Sequence, residues 1–183
     1  MLRRLSLVLL LAPLLHADPL ADSARAKLAL IEDDKAAPGS VIVFSAQELN
    51  AWIRAELAQE PQVGMREPKL ELGDGTVSFD ALVDLQKLAG AQGGLFAQLL
   101  AGERKVRIVA APETAAGRIT IRLKLVEISG VPLSGILLNL AAKLVLSRVY
   151  EETEIDQPFD MGHNIDHAVI EPAALHVYIK STR

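Results

Sequence analysis

The stretch Lys69-Leu70-Glu71-Leu72-Gly73-Asp74-Gly75-Thr76-Val77-Ser78-Phe79-Asp80-Ala81-Leu82-Val83-Asp84-Leu85 decides the fold class. Leu70 and Leu72 form a short strand, and Gly73-Asp74-Gly75 supplies a tight turn. Val77, Phe79, Ala81, Val83 and Leu85 then alternate with Ser78, Asp80 and Asp84. Period-two alternation about a Gly-Asp-Gly turn predicts an antiparallel hairpin with one buried face.

Two further hairpins follow the same logic. Val106, Ile108 and Ala110 lead through a turn at Pro112–Gly117 into Ile119, Ile121, Leu123 and Leu125, with Arg118, Thr120, Arg122 and Lys124 on the opposite face. The alternation slips at Leu125-Val126, which predicts a β-bulge that bends the strand. Ile165–Ile170 and Leu175–Lys180, joined by Glu171-Pro172-Ala173-Ala174, make the third hairpin, whose layout resembles the first and hints at an internal repeat. Val41-Ile42-Val43 and Ile155–Phe159 are expected as short strands.

Between these strands the period changes to that of helices. Leu20, Ala24, Lys27, Leu28 and Ile31 recur at three- and four-residue steps, stopped by Pro38-Gly39. Ser45-Ala46-Gln47-Glu48 is a capping box, with Phe44 placed to staple onto Leu49. The helix it opens presents Leu49, Trp52, Ile53 and Leu57 and ends before Pro61. After the break at Gly130-Val131-Pro132, Leu133 to Tyr150 reads as the longest helix, apolar around most of its circumference. Such a helix must be wrapped by protein or by an apolar ligand. Lys143 and Arg148, and its modest length, argue against a membrane span. The glycine-fenced apolar stretch 93–102 reads as a short helix or flap over a core edge, the covering role being the commoner one. The expected class is therefore α+β, an antiparallel sheet with helices on it.

Arg3 and Arg4, an apolar run from Leu5 to Leu15 and the small residue Ala17 have the layout of a secretory signal peptide. Cleavage after Ala17 leaves a single domain over 18–183, and losing the two arginines takes the net charge from −4 to −6. So acidic a chain, with no Lys/Arg cluster, is not built to bind nucleic acid or anionic surfaces by charge. With no cysteine there is no disulfide, no thiolate chemistry and no lipid-modified Cys, so stability must come from the core. Residues are 50% hydrophobic but only 4% aromatic, so that core is aliphatic.

No nucleophile-elbow, phosphate-loop, dinucleotide or zinc-protease motif occurs, and no catalytic residue or cofactor is expected. The acidic pairs Asp33-Asp34 and Glu151-Glu152 read as solvated charge runs. Asp160, His163, Asp166 and His167, with His176 nearby in the last hairpin, offer metal-ligand chemistry. Pro158 and Gly162 spoil the helical spacing that would gather them, so no metal centre is expected.

The segment Phe44-Ser45-Ala46-Gln47-Glu48-Leu49-Asn50-Ala51-Trp52, the alternating strands after it and an apolar helix after Gly130-Val131-Pro132 resemble small bacterial periplasmic proteins of the tubular lipid-binding (TULIP-like) group. The resemblance covers residues 41–180. It implies a curved antiparallel sheet wrapped around a long apolar helix, with additional N-terminal helices and an apolar groove that takes lipid or another hydrophobic small molecule. It brings no catalytic residues. Several such proteins are lipoproteins, and this chain lacks the cysteine that lipidation needs.

The expected function is a periplasmic or secreted, non-catalytic carrier of a hydrophobic ligand. In it Leu133, Ile136, Leu137, Leu140 and Leu144 face Phe79, Val83, Ile121 and Leu123 across a space for an acyl chain. Periodicity shows burial and not voids, so the same residues could instead fill one another's gaps in a close-packed core. The alternatives are an envelope assembly factor that binds a protein partner through a sheet edge or flap, and a hydrolase with a dispersed site. We predict that N-terminal sequencing of exported protein begins at Asp18; a sequence starting at Met1 would refute the signal-peptide assignment.

Overall fold

The computed structural model describes residues 18–60, 64–85, 87, 102–134 and 157–181. The chain is α+β, and within those residues two helices pack against two antiparallel sheets. Helix α1, Pro19–Glu32, is capped by Asp18, whose carboxylate accepts from the amide of Leu20 at 3.0 Å, and starts with a proline where no amide is needed. Strand β1, Val41–Ser45, leads into helix α2, Ala46–Gln59, and both halves of the expected capping box form at Ser45 and Glu48. Neither helix is long and apolar enough to cross a membrane.

The hairpins form as expected, with revised limits. Strands β2, Met65–Leu72, and β3, Val77–Asp84, meet at the Gly-Asp-Gly turn, where Gly73 N–H donates to Thr76 O at 2.8 Å. Strand β4 runs from Glu103 to Ala115, so Pro112–Ala115 are strand and the turn is only Ala116-Gly117. Both turn residues have positive φ, 51° and 77°, the two-residue turn that matches strand twist. Pro112 is tolerated because β3 begins only at Val77, opposite Ala110, and so offers no ladder partner beside Pro112 for an amide that proline lacks.

Strand β5, Arg118–Ile128, carries its bulge at Lys124, one residue before the expected slip: Val109 pairs with Leu125 and Ala110 with Leu123. The inserted residue turns Val126 and Ile128 back to the face that holds Leu123, Ile121 and Ile119. Strand β6, Val131–Pro132, folds back onto Glu127–Ile128. Of the expected strand at Ile155–Phe159, only Phe159 pairs, in the two-residue strand β7, Phe159–Asp160, set against Arg118–Ile119. Ile155 lies outside the described residues. Strands β8, Ile165–Glu171, and β9, Ala174–Ile179, complete the chain.

The larger sheet runs β2-β3-β4-β5-β6, with β7 beside β5, and the smaller runs β1-β9-β8. The first and last hairpins, similar in sequence layout, meet at their turns: Gly75 N–H donates to Ile170 O at 3.0 Å and Ala173 N–H to Leu72 O at 3.3 Å. Thr114 ties β4 to β8, its hydroxyl donating to Ala168 O at 2.7 Å and accepting from Ala168 N–H at 2.9 Å. One core, around Ile31, Phe44, Leu49, Val177 and Ile179, lies between the helices, the small sheet and Leu70 and Leu72 of β2. A second, around Ala81, Val83, Val106 and Ile128, lies on the large sheet.

The expected stripe on α2 is corrected. Glu48, Leu49 and Ala51 are its buried residues, while Trp52, Ile53 and Leu57 are half-buried, so the deepest contact is made by the first turns of α2. The Glu48 carboxylate accepts from Lys27 Nζ at 2.5 Å, Ser23 Oγ at 2.6 Å, Ser45 N at 2.8 Å and Ser45 Oγ at 3.0 Å. Lys27 Nζ also donates to Val43 O, on the open edge of β1. Two residues on, the Asn50 amide treats β2 as another strand would. Its Nδ2 donates to Leu70 O at 2.7 Å, and its Oδ1 accepts from Leu70 N at 2.8 Å. Both sheet edges beside the helices are thus closed by helix side chains.

Burial pushes the Glu48 carboxyl up, but the hydrogen bonds from Lys27, Ser23 and Ser45 outweigh it and hold it at about 2 against an ordinary 4.5. A depressed carboxylate stabilises the fold fully above pH 4.5 and loses that contribution as pH falls toward 2. The loss should reach about 3 kcal/mol. Denaturant titrations across this window should show it for the wild type and not for Glu48→Gln; parallel curves would show that the cluster contributes nothing. Asn50→Ala should cost about 1 to 2 kcal/mol, since it strands the half-buried amide and carbonyl of Leu70, and an unchanged melting temperature would contradict the edge-closing role.

Candidate functional site

The large sheet has two chemically opposite faces. Register places Phe79, Ile108 and Val126 in one row beside Leu70, with Ala81, Val106 and Ile128 in the next. In the other direction lie Val77, Ala110 and Leu123, then Pro112 and Ile121, then Ile119 with Phe159 of β7. Apart from Thr114 opposite Ile119 and Arg104 opposite Val83, this face is apolar from β2 to β7. The reverse face carries Lys69, Asp80, Arg107 and Glu127 directly opposite one another on four successive strands, an alternating ladder of charge. Arg122 adds a 2.6 Å pair with Glu113, which holds the Glu113 carboxyl below its ordinary range. One oxygen of Asp80, Oδ1, is buried without a hydrogen-bond partner.

Of the residues expected to line a groove, Phe79, Val83, Ile121 and Leu123 stand on the apolar face, and Leu133 packs against its core. Val83 is buried, while Phe79, Ile121, Leu123 and Leu133 are half-buried. Leu133 corrects the start of the expected long helix. Together with Ser134 it continues non-helically from β6, its amide donating to Val126 O at 2.7 Å. Ile136, Leu137, Leu140 and Leu144, with the rest of that helix, lie outside the described residues, as does most of the glycine-fenced stretch 93–102.

The histidine-rich tail resolves into pairs. His167 Nδ1 lies 2.8 Å from Asp166 Oδ2, and its ring stacks on Tyr178 with centroids 4.2 Å apart; His176 lies 3.4 Å from Glu171. Among the described residues, no three His, Asp or Glu side chains gather as a metal site. His163 and Asn164 form a left-handed turn at φ 46° and 54°, which points the chain back toward Asp34.

Sequence reasoning missed the outer face of the small sheet. There Val41, Tyr178 and His167 form one row, and Val43, His176 and Val169 the next. The three valines are 43%, 40% and 37% exposed. The alternation of His176 and Tyr178 with Leu175, Val177 and Ile179 in β9 is the signal that could have flagged it.

Comparison with protein-family models finds no match. None is found among curated proteins either, nor among solved structures.

Proposed function

We propose that this protein is an exported, non-catalytic carrier that holds a lipid or similar apolar molecule against the apolar face of its large sheet, in the manner of the tubular lipid-binding group. One observation carries the reading: four residues from two separate hairpins, Phe79, Val83, Ile121 and Leu123, share a single continuous apolar face. The bulge at Lys124 supports it, since it keeps Val126 and Ile128 on that face while bending the strand. The charged ladder on the reverse supports it too, because it interrupts the apolar residues there, such as Val109 and Leu125, and leaves the other face as the continuous apolar one.

A second reading, an envelope factor that binds a protein partner, draws on the exposed valines of β1 and β8.

Uptake of a fluorescent fatty acid tests the first reading. Wild-type protein should bind the probe, and Ile121→Asp, at a half-buried position, should stay folded and bind at least about tenfold more weakly. Val83→Asp, at a position only 3% exposed, should unfold the protein instead, since an unpaired buried charge costs several kcal/mol. Wild-type protein that never takes up the probe would sink the carrier assignment.

A further inference from the structure

We propose that the rim of the apolar face where β2 begins, β3 ends and β4 begins holds the anionic head of an amphipathic ligand. The inference rests on the carrier reading and names its ligand class. A cleft of about 360 Å³ opens at this rim between α2 and the sheet, lined by Arg54 and Leu57 on one side and by Met65, Arg66 and Lys87 on the other. Met65 also packs against the apolar core of the large sheet, so the polar cleft and the apolar face share a wall.

Charge pairing leaves cations over. Arg66 pairs with Glu103, and Lys87 stands 3.8 Å from Asp84. Glu67 also lines the cleft, without a cation. Among the described residues, the side chains of Arg54, which lines the cleft, and Arg104, next to the cleft residue Glu103 at the start of β4, have no polar partner, so the rim carries two free guanidinium groups against one free carboxylate. Arg104 sits opposite Val83, which sits opposite Met65, so a half-buried guanidinium ends an otherwise apolar row. A planar guanidinium is suited to a carboxylate or phosphate, which it grips through two parallel hydrogen bonds.

Gly64, at φ +69°, lies so close to Lys87 that a Cβ would meet its Cβ at 2.9 Å, and the Gly64 carbonyl accepts from Asp84 N–H at 2.7 Å. Glu67 adopts φ 51° directly before Pro68, a conformation that side chain and proline both disfavour. Strain of this kind persists where surrounding structure imposes it, and here it shapes the cleft wall.

Calorimetric titration of the full chain with dodecyl phosphate, dodecanol and inorganic phosphate, each below its aggregation limit, tests the proposal. Dodecyl phosphate should bind at least about tenfold more tightly than dodecanol, and Arg54→Gln combined with Arg104→Gln should erase that advantage while dodecanol affinity is retained. Neither arginine is paired among the described residues, so the double variant should melt like the wild type. The wild type alone gives a second readout, because about 1 M salt should shrink the dodecyl phosphate advantage and spare dodecanol. Equal affinity for the two amphiphiles overturns the head-group site and leaves the carrier reading standing. Binding of neither overturns both. Inorganic phosphate that binds as tightly as dodecyl phosphate shows a free-anion site and overturns the amphiphile.

Discussion

The structure hangs on three consecutive residues of α2. Glu48 gathers Ser23 and Lys27 of α1 and the amide of Ser45 at the end of β1. Leu49 fills the core between the helices and the small sheet, and Asn50 closes the edge of the large sheet at Leu70. One turn of helix therefore joins both helices to both sheets. A charged residue only 8% exposed is normally a liability, and here four hydrogen bonds to its carboxylate offset its desolvation.

That arrangement explains what was legible in the sequence and what was not. The capping box is local, so Ser45 and Glu48 announce it through spacing alone. The second duty of Glu48 toward Lys27, and the whole duty of Asn50, depend on partners 20 or so residues away, which no local pattern encodes. The hairpins were readable because alternation has a period of two whatever the partner. Their limits were not: Pro112 looks like a turn residue until one sees that β3 begins only opposite Ala110 and leaves Pro112 without a neighbour on that side. The bulge shifts by one residue for a related reason, since Leu125 reads as apolar yet faces the charged side, opposite Val109. The exposure of the β1 valines was not legible either, since a run of three β-branched residues does not say which of them faces out.

The candidate site follows from how the large sheet sorts its side chains. Every apolar row runs across hairpins that are separate in sequence, so Phe79 and Ile121 become neighbours of one surface only through the long β4 between them. The sequence could name these residues as inward-facing; it could not show that they share a face, nor that cations from α2 and β4 stand at its end.

The pairing of β1 with β9 has a consequence for how the protein comes to exist. Val41 finds its partner in Tyr178, some 137 positions later, so β1 stays without its ladder until the chain has been made through that tyrosine. Folding of the smaller sheet is a long-range closure and hence a slow, late event. In the interval β1 is a short run of Val, Ile and Phe with an unpaired edge on either side, the kind of segment that joins other chains. The lysine that caps Val43 is already present from α1, which lets the nascent protein shield one edge of this strand before the other has a partner.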